Sequence, residues 1–249
     1  MKMKIVVFDS GLGSLSVIKA IQKKTKSDII YLADRKNFPY GTKTKSQLYK
    51  IIIDTIEKIS ERFDPDVIVL ASNTPSLLFR EKLPRNIITV LPPLENIQIA
   101  SNVAILTTEI VAKSRELDDY ISEFNDLKDV RVINCSELVE LVESGKFLTH
   151  ERDCVKIILK VLKDEFKENK IKIATLSSTH LPFLLPFLKK YFKGIEFLDP
   201  AEDIATKISK LEGPKSTRNS LSIYTTESPK ALQRNLKSMG ISNKVNLFS

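Results

Sequence analysis

Small polar residues follow directly on a buried apolar segment in the first third of the chain. Val67–Leu70 is an unbroken apolar run, which is typical of a strand buried on both faces of a parallel sheet. Ser72, Asn73 and Thr74 come next. Side-chain oxygens of these types accept hydrogen bonds from the free N–H groups at a helix start. We therefore expect a strand-to-helix turn whose polar groups lie at the carboxyl end of a sheet, where open α/β folds bind small ligands.

A second stretch, residues 171–184, repeats this order of an apolar strand, a polar turn and an apolar helix. Aligning Leu176 with Leu70 places Ser178 on Ser72. The repeat favours two similar domains that face each other. Strand, turn and helix also recur without any such relation in α/β proteins, so the pattern alone leaves both explanations open.

A carboxylate takes a similar position after the first apolar segment, Lys4–Phe8. Asp9 is followed by the glycine-containing turn Ser10–Ser14 and then by an amphipathic helix. Such turns bind ligands in many α/β folds, but the third glycine of the dinucleotide fingerprint is absent here. Asp9 is therefore either a site carboxylate or a helix cap. Tyr40 offers a hydroxyl in a later turn that is marked by Pro39 and Gly41.

Strands and helices alternate along the chain, and this order predicts an α/β fold with parallel sheets and helices on both faces. The predicted strands are residues 4–8, 29–32, 67–71, 87–91, 103–106, 130–133, 171–176, 195–198 and 221–225. The clearest predicted helices are residues 45–63, 155–166, 183–192, 201–211 and 229–239, and residues 213–220 are predicted to form a polar loop.

The composition is that of a globular protein. The chain has 249 residues, of which 42% are hydrophobic and 28% charged, and it has no apolar run of the about 18 residues needed to span a membrane. Met1–Phe8 has too few apolar residues for a secretion signal, so we expect a cytoplasmic protein without a membrane partner. The net charge is +8, but the lysines are mixed with acids along helices, which favours a solvated surface over a nucleic-acid site.

Cysteine and histidine are scarce. Cys135 and Cys154 lie among apolar residues, so we expect buried structural thiols. Two histidines are too few for a histidine-based metal site, and we predict no metal.

Several short motifs occur together in one order. They are F-D-S-G-L-G-S at Phe8–Ser14, Y-L-A-D at Tyr31–Asp34, P-Y-G at Pro39–Gly41, S-N-T at Ser72–Thr74, L-V-E at Leu141–Glu143, S-T-H at Ser178–His180 and Y-T-T at Tyr224–Thr226. With these motifs the chain resembles the glutamate racemase family of the aspartate/glutamate racemase superfamily. The resemblance covers nearly the whole chain.

The resemblance implies two similar doubly wound parallel-sheet domains in a pseudo-twofold relation, with the active site in the cleft between them. The first domain would hold residues 1–95 and 208–249, and the second residues 96–207. The implied reaction is racemisation of glutamate or a related acidic amino acid without a cofactor. A homodimer that binds a small acidic amino acid or dicarboxylate is implied as well.

The resemblance also assigns roles to residues. Positions that match the family's catalytic residues are Ser72, Ser178, Asp9, Asp34, Glu143 and His180. Positions that match its substrate contacts are Ser10, Pro39, Tyr40, Gly41, Asn73, Thr74 and Thr179.

The two proton-transfer residues of the family are cysteines, in C-N-T and C-T-H, whereas this chain has Ser72 and Ser178 there. A serine hydroxyl is several pKa units less acidic than a thiol, whose reference pKa is near 8.5. Each unit corresponds to about 1.36 kcal/mol, so the change predicts half-reactions slower by roughly thousands-fold.

Two origins of the serines are open, namely an engineered pair of changes made to trap a ligand and natural divergence. Further departures from the family's motifs favour divergence, because a test of catalysis would not require them. They are Ser14, Pro75, Leu91–Leu94, Val111, Ser177 and Leu181.

Three functions follow as hypotheses. The first is an amino-acid racemase of the glutamate racemase type with weak or altered activity. The second is a catalytically silent homologue that still binds a small dicarboxylate or amino acid. The third, a nucleic-acid-binding protein, has only the net charge of +8 in its favour.

Overall fold

The computed structural model describes residues 3–97, 102–124, 127, 129–211 and 218–248. The chain divides into two compact units. The first unit comprises Met1–Val90 and Ala201–Ser249, and the second unit comprises Leu91–Pro200. The domain boundaries expected from the sequence, after residue 95 and before residue 208, stay predictions.

Strands and helices alternate through the described residues. The strands are β1 (Lys4–Asp9), β2 (Asp28–Ala33), β3 (Val67–Leu70), β4 (Ile87–Thr89), β5 (Val103–Thr107), β6 (Val130–Asn134), β7 (Ile173–Leu176), β8 (Glu196–Leu198), β9 (Ser220–Thr225) and β10 (Val245–Leu247). The α-helices are α1 (Ser14–Lys24), α2 (Lys45–Phe63), α3 (Asn73–Leu78), α4 (Glu109–Ala112), α5 (Arg115–Ser122), α6 (Ser136–Glu143), α7 (Lys146–Thr149), α8 (Glu151–Glu168), α9 (Leu185–Tyr191), α10 (Ala201–Ser209) and α11 (Pro229–Ser238).

The first unit is built on a six-stranded parallel sheet in the order β10-β9-β2-β1-β3-β4. Its central strands β1 and β3 are apolar and almost wholly buried, as expected for strands that are covered by helices on both faces. Helix α2 packs a stripe of buried residues at helical spacing, including Leu48, Ile52 and Ile59. Its start is fixed by a capping box, in which Thr44 and Gln47 satisfy each other's backbone N–H groups.

The second unit is built on a four-stranded parallel sheet in the order β6-β5-β7-β8. One face of its central strands packs against helices α6, α8 and α9 in a continuous apolar core that includes Leu106, Leu176, Leu162 and Leu188. Cys135 and Cys154 lie in this core as free buried thiols, as predicted. The predicted α/β class with two parallel sheets is thus confirmed.

The direction of the connections reverses at one place in each sheet. In the first unit, β1 leads to β2 on one side while β3 leads to β4 on the other. In the second unit, β5 leads to β6 on one side while β7 leads to β8 on the other. The loops after two neighbouring strands therefore diverge, and the carboxyl ends of β1 and β3, and of β5 and β7, form the crevice where open α/β sheets bind ligands.

Several sequence predictions differ from the structure in detail. The turn at residues 37–42 contains two short 3-10 helices, Arg35–Asn37 and Tyr40–Thr42. The helix predicted at residues 183–192 is a 3-10 turn, Leu181–Leu184, followed by α9, because prolines at 182 and 186 remove backbone donors. Strand β10 and the short helices α4 and α7 were not predicted. Most of the polar loop predicted at residues 213–220 lies outside the described residues.

Candidate active site

Most of the predicted site residues lie in the first unit, at or near its crevice. Phe8 pairs with Leu70, and the N–H of Ala71 donates to the carbonyl of Phe8 at 2.8 Å. Asp9 and Ser72, which follow these pairs, therefore emerge from neighbouring strands. Both side chains are buried, with 2% and 8% of their surface exposed.

Asp9 does not cap the helix that follows it. Helix α1 begins at Ser14, its N-cap is Gly13, and no side chain caps it. The Asp9 carboxylate instead accepts a hydrogen bond from the backbone N–H of Ser10 at 2.6 Å. The turn between them and α1 is held by the Tyr31 hydroxyl, which donates to the carbonyl of Gly11 at 2.8 Å. The helix-cap role left open by the sequence is therefore wrong, and the role of Asp9 as a site carboxylate stays a prediction.

Asp34 is the centre of a polar cluster beside Asp9. Its backbone N–H donates to the carbonyl of Asp9 at 2.7 Å. Its buried carboxylate accepts hydrogen bonds from the Asn37 amide at 2.9 and 3.0 Å, the Tyr40 hydroxyl at 3.0 Å and the Thr226 hydroxyl at 2.9 Å. The Asp34 carboxylate thus accepts hydrogen bonds from three side chains, and the one from Tyr40 fixes the position of the phenol.

Tyr40 is the aromatic group of this crevice and is 2% exposed. Burial, followed by the nearby negative charges of Asp34 and Asp9, raises the pKa of the Tyr40 phenol well above its usual value of 10.0. The phenol is therefore neutral at physiological pH. The flanking residues Pro39 and Gly41 are exposed, and the Thr42 hydroxyl donates to the Pro39 carbonyl at 3.0 Å.

The turn after β3 differs from the expected cap. Helix α3 begins at Asn73 with Ser72 as its N-cap, but the Ser72 side chain accepts no hydrogen bond from the helix. The predicted capping role of these side chains is therefore wrong for Ser72. The buried Asn73 amide donates from Nδ2 to the carbonyl of Val90 at 3.3 Å, whereas its Oδ1 has no hydrogen-bond partner among the described residues. Thr74 is buried in the first turn of α3.

The crevice of the second unit contains the remaining predicted residues. Ser178, Thr179 and His180 follow β7 and are all buried. His180 Nε2 lies 2.8 Å from Oε2 of Glu143, the last residue of α6, and both side chains are buried. The imidazole is thus oriented by a carboxylate.

The two serine hydroxyls share one property. Within the described part of the chain, neither Ser72 Oγ nor Ser178 Oγ makes a hydrogen bond, although the Ser178 carbonyl accepts one from the Leu181 N–H at 3.0 Å. His180 contacts Glu143 and not the Ser178 hydroxyl. No side-chain base that could deprotonate either serine is hydrogen-bonded to it.

Among the described residues, no group of three or more His, Cys, Asp or Glu side chains is placed to hold a metal ion. No helix within the same residues has both the length and the apolar character needed to cross a membrane.

Curated relatives of the chain are glutamate racemases. The glutamate racemase of Aliivibrio fischeri is 33% identical over 214 residues, which covers 83% of this chain and 80% of that protein. The chain belongs to the glutamate racemase family. No protein-family model matches it.

Solved structures of glutamate racemases share the fold of this family member. The enzyme from Thermus thermophilus, solved with beta-chloro-D-alanine, superposes with a TM-score of 0.84 at 23% identity over 100% of this chain and 97% of that one. The Escherichia coli enzyme, solved with L-glutamate and the activator UDP-MurNAc-ala, gives 0.81 at 24% identity over 100% and 99%. At these identities the likeness shows the fold.

The structure also adds residues that reasoning from the sequence missed in this glutamate racemase relative. Asn37 and Thr226 hold the Asp34 carboxylate, and Ser76 joins the end of β3 to the segment after β4. Thr226 lies in the Y-T-T motif and Ser76 in helix α3, and no local pattern in the sequence indicated the hydrogen-bond partners of either residue.

Proposed function

We propose that this protein is a racemase of glutamate or a related acidic amino acid that works without a cofactor. The observation that carries the proposal is the matching arrangement in the two sheets. Each has a buried serine just beyond the carboxyl end of a central strand, at the position where the strand connections reverse. Membership of the glutamate racemase family supports the same reaction.

Ser72 and Ser178 would be the two proton-transfer residues. One, in its deprotonated form, takes the α-proton and leaves a carbanion on the α-carbon. The other, in its protonated form, donates a proton to the opposite face, so that the two residues exchange protonation states in each turnover. Atoms and charges balance without a further reactant.

The other polar residues would bind and orient the amino acid. Asp9 and the Asn73 Oδ1 are acceptors suited to an α-ammonium group, whereas the Tyr40 phenol and the N–H groups at the start of α3 are donors suited to a carboxylate. The Glu143–His180 pair would hold a positioned imidazole near Ser178. The Escherichia coli relative was solved with L-glutamate, which supports glutamate as the first ligand to test.

A second function is favoured by the surroundings of the serines. A serine needs a neighbouring base before it can accept a proton, and neither hydroxyl makes a hydrogen bond among the described residues. The chain would then be a catalytically silent homologue that binds a small dicarboxylate or amino acid and does not turn it over.

Deuterium exchange and calorimetry separate the two functions. A racemase exchanges the α-proton of D- and L-glutamate with solvent deuterium above the rate of a protein-free control, and the rate rises with protein concentration. A silent homologue shows no exchange but gives a saturable heat of binding with glutamate or aspartate. The absence of both exchange and binding for all acidic amino acids tested would contradict both functions.

Three further expectations stay predictions, namely a cytoplasmic location, a homodimer and the origin of both serines by natural divergence. Sedimentation of the purified chain tests the dimer directly. A monomer at all concentrations would contradict it.

A further inference from the structure

A few buried polar atoms have no hydrogen-bond partner. Among the described residues they are Ser14 Oγ, Asn73 Oδ1, Thr107 Oγ1 and Gln233 Nε2. Buried polar groups are nearly always paired in folded proteins, so each exception calls for an explanation. Thr107 has no role in the site described so far, and its side chain is only 1% exposed.

Thr107 occupies the crevice of the second unit. It is the last residue of β5, and the crevice lies between the carboxyl ends of β5 and β7. Leu106 pairs with Leu176 on the neighbouring strand. Thr107 is the residue after Leu106, and Ser177 is the residue after Leu176. Ser178 follows directly. Thr107 therefore lies at the same edge of the sheet as the candidate proton-transfer serine.

The topology makes Thr107 the counterpart of Asp9. In the first unit, Phe8 of β1 pairs with Leu70 of β3, and Asp9 is the next residue after that pair. In the second unit, Leu106 of β5 pairs with Leu176 of β7, and Thr107 is the next residue after that pair. The two sheets thus agree in strand order, in register and in the place where the connections reverse. At equivalent positions, the first unit has the carboxylate of Asp9 and the second unit has the hydroxyl of Thr107.

Three other hydroxyls of the second unit are hydrogen-bonded, whereas that of Thr107 has no partner among the described residues. Thr175 Oγ1 and Ser177 Oγ lie 2.8 Å apart, and Ser136 Oγ accepts from the N–H of Glu109 at 3.0 Å. The carbonyl of Thr107 accepts from the N–H of Cys135 at 2.7 Å, so the backbone of this residue is paired while its side chain is not.

We propose that the Thr107 hydroxyl is a substrate-binding group that donates a hydrogen bond to a carboxylate oxygen of the acidic amino acid. The inference rests on the proposed function, because it assigns the ligand to the same site. A neutral hydroxyl in a buried crevice can donate to an anion without the cost of burying a charge. The carboxylate of Asp9, at the corresponding position of the first unit, cannot donate such a hydrogen bond.

Thr107→Val removes the hydroxyl and keeps the shape of the side chain. We expect the dissociation constant for glutamate, measured by calorimetry, to rise about tenfold, as for one lost hydrogen bond to a charged group. The urea midpoint should stay unchanged or rise, because a buried unpaired hydroxyl is removed. Thr107→Ala should weaken binding similarly, and Thr107→Ser, which keeps a hydroxyl, should remain within about threefold of the unchanged chain.

Thr175→Val is the matched control, because its hydroxyl is paired with Ser177 and is equally buried. It should lower the urea midpoint and leave the dissociation constant unchanged. If the unchanged chain binds glutamate and both Thr107→Val and Thr107→Ala bind it equally well, this inference fails and the proposed function stands. If the unchanged chain binds no acidic amino acid, both fail.

Discussion

At the scale of single residues, the buried carboxylates of the first unit differ in what they can do. Asp34 accepts hydrogen bonds from Asn37, Tyr40 and Thr226, so in the proposed site it would act through the position of Tyr40. Asp9 lies beside the turn that leads to α1 and contacts the Ser10 N–H. The family resemblance implies the same role for both carboxylates, whereas their hydrogen-bond partners differ.

Tyr40 gives the first unit a distinctive response to alkaline pH. Its pKa is raised in the folded state, so the native protein holds a proton that the unfolded chain releases near pH 10. The contribution of this phenol is fully present below pH 10 and is lost as the pH rises towards the folded-state pKa. We therefore expect the unchanged chain to lose more stability between pH 8 and pH 10.5 than Tyr40→Phe does, measured by urea unfolding at both values.

Equal losses in the unchanged chain and in Tyr40→Phe would show that the Tyr40 phenol ionises in the folded protein as readily as in the unfolded one.

The sequence indicated the types of residue in the site better than their contacts. Asp9, Ser72 and Ser178 were predictable, because parallel strands end at a common edge and short polar residues follow each apolar run. The Asp34 cluster was not, because Thr226 reaches it from 192 residues away in the chain. Such a contact depends on the pairing of β2 with β9, which no local pattern reveals.

At the scale of elements, Ser76 fixes the short helix that carries Asn73 and Thr74. Its buried hydroxyl donates to the Leu70 carbonyl and accepts from the Val90 N–H, both at 3.1 Å. Ser76→Ala leaves both backbone groups buried without this partner, which costs about 1–3 kcal/mol in the free energy of unfolding. Urea unfolding measures the loss, and a lower affinity for glutamate should accompany it because α3 loses its anchor.

Ser60→Ala is the matched control on an exposed helix face. The Ser60 hydroxyl donates to the Ile56 carbonyl within α2 and reaches no other element. Its removal should change stability by less than about 0.5 kcal/mol. Similar small effects for both variants would mean that Ser76 does not hold α3 in place.

Long periodic elements were predictable, and short ones were not. Helix α2 was identified closely, because its apolar stripe extends over five turns and ends at Asp64 in the left-handed conformation. Strand β10 has only three residues and no alternating pattern, and it pairs with β9 along an edge of the sheet. Its place is set by tertiary contacts, such as the hydrogen bond from the Val245 N–H to Gln233 Oε1 at 3.0 Å.

At the scale of the whole molecule, the reactivity of both cysteines depends on whether the second unit is folded. Cys135 and Cys154 are free, buried and in the second unit. Burial raises the pKa of both thiols, that of Cys154 to about 11. Neither should react with a disulfide reagent such as DTNB at pH 8 in the folded protein, because a thiolate must form and be reached. Both should react in strong denaturant.

The labelling rate of the two thiols should therefore report the rate at which the second unit unfolds. In mild denaturant, we expect the labelling rate to follow unfolding of the apolar core around α6 and α8, where both residues lie. Lys210→Cys places an exposed thiol in the first unit, and it should react at once, which shows that the reagent is active. Rapid labelling of the native cysteines at pH 8 without denaturant would contradict their placement in the core.

The two units follow the same plan, and this plan is the basis of the functional proposal. Each sheet reverses its connections between two apolar strands, and each reversal places a serine beside the crevice that has no hydrogen-bonded base among the described residues. Under the proposed function, the scaffold of an amino-acid racemase would use these serine hydroxyls, which are harder to ionise than thiols, as its proton-transfer groups. Cysteines placed at the two positions would change that property.

The most direct test compares exchange of the glutamate α-proton with solvent deuterium in the unchanged chain and in the double variant Ser72→Cys, Ser178→Cys. We predict slow, protein-dependent exchange for the unchanged chain and exchange faster by about a thousandfold or more for the variant, for both enantiomers. Exchange by the variant alone would favour the silent homologue. The absence of exchange from both proteins, with the variant folded and its thiols reactive, would contradict the claim that this chain has the site of a glutamate racemase.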